Sequence, residues 1–555
     1  MIEIDLLGDF NFMNKFSILY CDSDHTNPNV QEKQDIRDNS YNFQNILNDL
    51  NLRAISKFTS LSPKDIDYVL NIVADFKSSE EDVKMRLGII QDFLNLRDFF
   101  GIFDKQMHYF IEIKEKLANA KRNMMRPGGD VSADSSFLNY NKIVSACFFF
   151  SLTYKTVYNL YREFKYPEIQ SPHLQKLGEF LTELVENSYF KKLDEECRIF
   201  TDHVNEGVIF DVDIKMNSIL RIISLRLSDF RYIKPVQTGL FYSVMRALAI
   251  EEKTQKNKTI YIEKTFTQES LISSMDDAYL KSNIEFQVNL IARRLAAVYE
   301  TLIDLFSNLS GEMIFYKYAM NMIGYMKTSG IPYCLADISV GPTNPANPEN
   351  AENQSCSADF EGLCDITLAT SFKEAESKFE VIRNDYILKE TDKTNIIIGA
   401  NQSGKTTFLR ALGSAMALAR AGLPVPAVKA RLSVFKNLYT HFQRYDEDLK
   451  NEGQLDTELA EMETIVYSAG RDSVVLMNES FSSTGLKDAR QIASDVLSAL
   501  NYVGAKVIYV THIPDIRDIL KESDNFDESG KKDINLYKTG QKSDGTPSFK
   551  LEKVI

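Results

Sequence analysis

The chain has 555 residues, 44% of them hydrophobic, and a formal net charge of −14. That length exceeds one ordinary core and implies two to four domains, while the acidic balance excludes a surface that is basic all over, so any nucleic-acid contact is confined to local patches. Six scattered cysteines, with no C-x-x-C pair and no histidine at metal-ligand spacing, argue against structural zinc and fit a reducing compartment.

Glu3, Asp5 and Asp9 do not suit a secretory leader, and the most apolar cluster, Ser145 to Tyr154, is too short for a bilayer. A cytoplasmic protein without membrane contact is the expectation. Residues 1–75 read as a mixed segment: a strand-like run at Phe16 to Tyr20, a polar stretch through Ser40, and an apolar helical pattern from Ile46 to Ile55. Residues 76–330 read as a helical core or lever domain. Val83, Leu87, Ile90 and Leu94 recur at helical spacing, and a second helical segment spans Tyr140 to Tyr161 beyond the turn signal Arg126-Pro127-Gly128-Gly129-Asp130. Ile284, Val288, Ile291, Leu295, Val298, Leu302, Leu305 and Leu309 alternate spacings of four and three, which predicts one long helix, either in a large helical core or in a coiled coil. Pro332, Pro342, Pro345 and Pro348 then mark residues 331–358 as a linker or surface loop. From 359 to 555 short apolar strands alternate with helical segments, the pattern of an α/β domain with a largely parallel sheet. No internal repeat is present.

The densest chemistry lies at residues 396–407, Ile-Ile-Ile-Gly-Ala-Asn-Gln-Ser-Gly-Lys-Thr-Thr. A buried strand breaks into a glycine-hinged loop and restarts as a helix, the phosphate-cradling P-loop pattern. Gly399 and Gly404 let the backbone N–H groups of Asn401, Gln402 and Ser403 turn inward on anionic oxygens. Lys405 adds a point charge, Thr406 offers a hydroxyl to Mg²⁺, and Thr407 opens a helix whose positive end faces the phosphates. Ser473 to Met477 forms an apolar strand ending in Asn478-Glu479, with Glu479 the candidate general base. Another strand, Lys506 to Val510, ends in Thr511-His512, and His512 is a candidate γ-phosphate sensor.

These residues resemble the ATPase domain of the MutS family. Gly399-Ala400-Asn401-Gln402-Ser403-Gly404-Lys405-Thr406-Thr407 is similar to the family's G-P-N-x-G-G-K-S-T, and Asn384-Asp385 stands at its upstream asparagine position. Gly422 to Ala427 is similar to G-x-Y-V-P-A, Glu461-Met462 to the E-M pair before the Walker B strand, Asn478 to Thr484 to D-E-x-x-x-G-T, and Thr511-His512 to the closing T-H. The likeness covers residues 375 to 515. It implies an ABC-type, head-to-tail homodimer that sandwiches ATP and Mg²⁺, with Thr406 and the Asn478 position near the metal and Asn384 near the nucleotide. It also implies that closure of the dimer moves helical levers that engage DNA, here branched or damaged rather than mismatched, because residues 1–75 are too few for a mismatch-reading module.

Candidate DNA contacts are Lys114, Lys116, Lys121, Arg122 and Arg126; the run Lys215, Arg221, Arg226, Arg231 and Lys234; and Lys253, Lys256, Lys258 and Lys264. Two departures from the family pattern bear on turnover. Asn478 replaces the Walker B aspartate and removes a charge from the metal's surroundings. The signature segment Gly453 to Glu458 carries Asp456 and Glu458, expected near the partner's γ-phosphate, with Thr457 the substitute for the signature serine. These departures support an alternative, a slow nucleotide-gated scaffold that binds protein or RNA partners.

Overall fold

The structure, a computed structural model, describes residues 16–21, 36–76, 78–124, 135–165, 168–203, 208–216, 222–232, 274–338, 356–374, 381–443, 451–513, 515–522 and 533–554. The chain divides into two compact units, one of Met1–Phe16 with Asn95–Gly311, the other of Ser17–Leu94 with Glu312–Ile555.

The first unit is built on long helices: α5 (Arg97–Met124), α6 (Ser135–Glu163), α7 (Pro172–Glu186), α8 (Ser188–His203) and the first part of α9 (Ser274–Ser329). Aromatic side chains fill its core, with Phe110 stacked on Phe306 at 4.4 Å between ring centroids and Phe150 stacked on Phe190. The heptad-spaced segment is thus one 56-residue helix, longer than its apolar repeat. An antiparallel hairpin, β1 (Val208–Met216) with β2 (Ile222–Tyr232), interrupts the helices where the sequence reading had expected helical levers.

The second unit holds two sheets. The larger runs in the order β12-β11-β6-β10-β9-β8, comprising Pro547–Val554, Ile534–Gln541, Thr394–Ile398, Lys506–Val510, Ser473–Asn478 and Asn437–Phe442. Every neighbouring pair is parallel except β11 and β12. β6, β9 and β10 are buried at every position, which is why they read as unbroken apolar runs rather than as alternations. The helices α11 (Lys405–Ala421), α12 (Asn451–Ser468) and α13 (Leu486–Val503) connect them. Gly422 and Gly504 end α11 and α13 in the left-handed conformation, at φ of 80° and 86°. A smaller mixed sheet, β3-β7-β4-β5, comprises Asp337–Ile338, Lys429–Leu432, Ala358–Leu363 and Asn384–Leu388. The described ends of the Pro-rich stretch belong to this sheet: Cys334 bridges Val425, and β3 pairs with β7.

The same unit takes in residues 17–94, and two expectations for that segment fail. Phe16 to Tyr20 is not a strand. The Ser17 hydroxyl accepts the backbone N–H groups of Leu19 and Tyr20, and the Glu312 carboxylate accepts that of Ile18, so side chains take the donors a sheet neighbour would need. Nor is Ile46 to Ile55 one helix: α1 (Ile36–Asp49) stops and α2 (Leu52–Ser56) restarts across Asn51, a left-handed residue at φ 54°. Two further helices, α3 (Pro63–Asp75) and α4 (Glu80–Asn95), complete the segment. It packs on the P-loop helix: Arg410 donates to the Asp49 carbonyl, and the fully buried Arg86 donates to that of Ala421.

Candidate nucleotide site

Strand β6 delivers the chain to Gly399, and five residues later Gly404, at φ 89°, opens α11. Gln402 is also left-handed, at φ 61°. The first helical bond runs from Phe408 N–H to the Gly404 carbonyl, which leaves the N–H groups of Lys405, Thr406 and Thr407 without a partner inside the helix. Space is tight. A Cβ at Gly399 would lie 2.0 Å from the Thr539 hydroxyl, which itself bonds Ser403 Oγ at 2.8 Å, so only glycine fits beneath β11.

Lys405 curls back over the loop, and its ammonium donates to the carbonyls of Gly399 and Ala400 at 3.0 and 2.9 Å. Burial lowers its pKa and the Glu479 carboxylate, which lines the same cleft, opposes that fall. Thr406 Oγ1 donates to Asn478 Oδ1 at 2.9 Å. The two positions read as metal-associated in the sequence, 72 residues apart, therefore meet at the mouth of the parallel sheet, where strand ends deliver polar groups to phosphates. Glu479 follows in a left-handed conformation at φ 51°, its N–H bonded to the Val510 carbonyl at 2.8 Å.

Asn401, Gln402, Ser403, Gly404, Lys405, Thr406, Thr407 and Glu479 line one cleft of about 690 Å³. Leu363, Leu368, Phe372, Val381 and Ile382 supply its apolar wall and Phe549 its rim. A polar floor opposed by an apolar wall suits a ligand with an anionic tail and an aromatic head.

Three residues stand differently from the sequence reading. Asn384 lines the cleft, but its amide is spent on β12, donating to the Phe549 carbonyl at 3.1 Å and accepting from Leu551 N–H at 2.8 Å. That clamp holds Phe549, at φ 56°, over Gly404. His512 is exposed and is not among the residues lining the cleft. Glu458 does not present its charge outward: it is buried and accepts the Phe481 N–H at 2.9 Å. The repulsion expected from that residue is therefore replaced by a structural hydrogen bond.

Thr539, Phe549 and the apolar wall were not found in the sequence. No spacing marks them, because they reach the cleft from strands and turns that become adjacent only in the folded sheets.

Residues 395–542 match the model of MutS domain V. The DNA mismatch repair protein MutS of Thermotoga neapolitana is 31% identical over 25% of this chain and 18% of its own length. That of Granulibacter bethesdensis is 32% identical over 24% of this chain and 14% of its own, and that of Lactococcus lactis subsp. cremoris is 29% identical over 27% and 18%. The matched segment thus spans less than a fifth of these relatives. The chain is MutS-related, and the relationship rests on a MutS domain V at residues 395–542.

Proposed function

We propose that this chain binds and hydrolyses ATP at the cleft between the P-loop and the end of β9, in an ABC-type arrangement of two copies. The observation that carries the reading is the hydrogen bond from Thr406 to Asn478, with Lys405 and Glu479 lining the same cleft. Two segments, 72 residues apart, bring the Lys405 ammonium, the Thr406 hydroxyl, the Asn478 amide oxygen and the Glu479 carboxylate to one place.

In this reading the free N–H groups at the start of α11 and the Lys405 ammonium hold the β- and γ-phosphates, and the Gly399 and Ala400 carbonyls aim that ammonium. The wall of Leu363, Leu368, Phe372, Val381 and Ile382 takes the base. Glu479 orients and deprotonates the attacking water. Mg²⁺, held by Thr406 with Asn478 beside it, would neutralise developing charge on the phosphate oxygens. His512 serves as the γ-phosphate sensor once a second copy closes over its exposed position. ATP-driven closure then shifts α9, whose last part, from Glu312, lies in the same unit as the cleft.

We place branched or damaged DNA as the partner of the helical levers, since the relatives are named as DNA mismatch repair proteins. The described basic residues temper this. Lys114 pairs with Asp304 at 2.9 Å and Lys121 with Glu300 at 2.8 Å, within the first unit. Arg126, Arg221, Lys234, Lys253, Lys256, Lys258 and Lys264, and the side chains of Lys215, Arg226 and Arg231, lie outside the described residues. Those ion pairs and the missing Walker B charge favour the second reading, a slow nucleotide-gated scaffold for protein or RNA.

Light scattering with and without ATP and Mg²⁺, followed by binding to duplex, forked and four-way DNA, separates the two. Hydrolysis stimulated by branched DNA, with affinity falling steeply as salt rises, supports the DNA reading. Nucleotide-dependent dimerisation without any DNA response supports the scaffold, and an unchanged monomer with no turnover contradicts both.

A further inference from the structure

Glu479 sits in a turn with an unusual backbone. Both Glu479 and Phe481 have positive φ, 51° and 67°, conformations that a side chain with a Cβ adopts only when its surroundings enforce them. The residue between them, Ser480, is almost fully buried, at 2% exposure. Its hydroxyl lies 2.7 Å from His441 Nδ1 and donates to the His441 carbonyl at 3.2 Å. A serine hydroxyl has one proton, so both contacts are made together only when Nδ1 carries its own proton and donates to Oγ. Ser480 and His441 then form a closed ring of two hydrogen bonds between the turn and β8.

The imidazole is fixed in turn by its neighbours. It is 3% exposed, tilts against the Phe481 ring at 5.6 Å between centroids, and points Nε2 toward Glu461 Oε2 of α12 at 3.9 Å. In the parallel register of β8 on β9, His441 is level with Met477. The ring therefore reaches past the strand end and bonds the turn itself. The other anchors of the turn are backbone or remote: Glu479 N–H to Val510, Phe481 N–H to Glu458, and the Tyr509 hydroxyl to the Ser480 carbonyl at 3.4 Å. Among these, His441 holds the side chain immediately next to the general base.

We infer that His441 is a positioning residue for hydrolysis, setting the angle of the Glu479 carboxylate through its bond to Ser480. His441 is not among the residues that line the cleft, so its contribution falls on the chemical step and not on nucleotide affinity. This inference rests on the ATPase reading above.

The test measures ATP affinity with a fluorescent nucleotide, and turnover at saturating ATP, on the full chain. His441→Ala and Ser480→Ala each lower kcat by about tenfold or more, because a small displacement of a catalytic group is costly, while Kd stays within about twofold of wild type. The double variant is no slower than either single one. His441→Asn, which keeps a polar atom near the Nδ1 position, recovers most of the lost rate, and His441→Gln does not. If His441→Ala does not fold, Ser480→Ala, which removes one oxygen atom, carries the test with the Asn and Gln variants. Unaltered kcat in Ser480→Ala, or equal recovery by Asn and Gln, overturns the inference while leaving the ATPase reading intact. A wild-type protein that does not turn over ATP removes that reading first, and the inference with it.

Discussion

Gly413, near the middle of α11, reports whether residues 36–94 buttress the candidate site. A Cβ placed there would lie 2.5 Å from Leu50 Cδ2 and 2.6 Å from Leu476 Cδ1. Leu50 comes from the end of α1 and Leu476 from the centre of β9, and both are buried, at 2% and 0% exposure. Two effects oppose each other in Gly413→Ala. Helix propensity favours alanine by about 1 kcal/mol in a helix interior. Overpacking between two immobile side chains costs about 1–3 kcal/mol. Contacts this short on both sides leave no direction for the methyl group to move, so the packing cost prevails and the variant is less stable by up to about 2 kcal/mol. Leu50→Ala alone costs about 2–5 kcal/mol as a cavity, and the added methyl partly fills that cavity in the double variant. Chemical denaturation of the four proteins should therefore give a double-mutant coupling of at least about 1 kcal/mol. Gly413→Ala as stable as wild type or more so, with the two changes additive, would refute the packing of the N-terminal segment on α11.

Thr406→Val keeps the shape of the side chain but leaves the Asn478 carbonyl oxygen without its donor; we expect a stability loss of about 1–3 kcal/mol without nucleotide, and a weakened Mg²⁺ dependence of ATP binding by calorimetry. Asn478→Asp restores a negative charge at the acceptor of the Thr406 hydroxyl, and kcat should rise and half-saturation by Mg²⁺ fall, as read in steady-state assays. Glu312, pushed up to about 7 by burial against the hydrogen bonds from Ile18 and Ser17, binds its proton more tightly folded than unfolded. Its contribution is thus fully present below the ordinary glutamate range, near pH 4.5, and is lost as pH rises toward 7, with a slope of at most about 1.4 kcal/mol per pH unit. Glu312→Gln should flatten that part of the stability profile measured by denaturation at pH 5 to 8.

How much of this was legible depended on whether the signal was local. The strand-to-helix turn between Ile398 and Lys405, the Asn478-Glu479 strand end and the Gly504 stop were readable because each is a short segment whose residue types dictate its own conformation. Buried parallel strands such as Val507 to Val510 announce themselves as continuous apolar runs. Strand β1 is also marked in the sequence, since Val208, Phe210, Val212, Ile214 and Met216 alternate with the period of a strand within a stretch otherwise patterned as helices. The buttress could not be read. An apolar stripe on α1 states that a face is covered and says nothing of what covers it, and the partner of Leu50 is a glycine, which has no side chain to pair with. Asn384 shows a different limit: its place in the MutS-like pattern suggested a ligand contact, and it does line the cleft, but nothing in the sequence told that its amide bonds β12.

The central claim is that the loop around Lys405 grips a nucleoside triphosphate. Titration of ATP with Mg²⁺ into the wild-type chain and into Lys405→Ala by calorimetry tests it most directly. Removing a charged hydrogen-bond donor should weaken binding by at least about 1.5–3 kcal/mol, so we predict saturable heat for the wild type and a Kd raised by about tenfold to more than a hundredfold in the variant. No heat with folded wild-type protein, or equal affinity in both, would contradict the account.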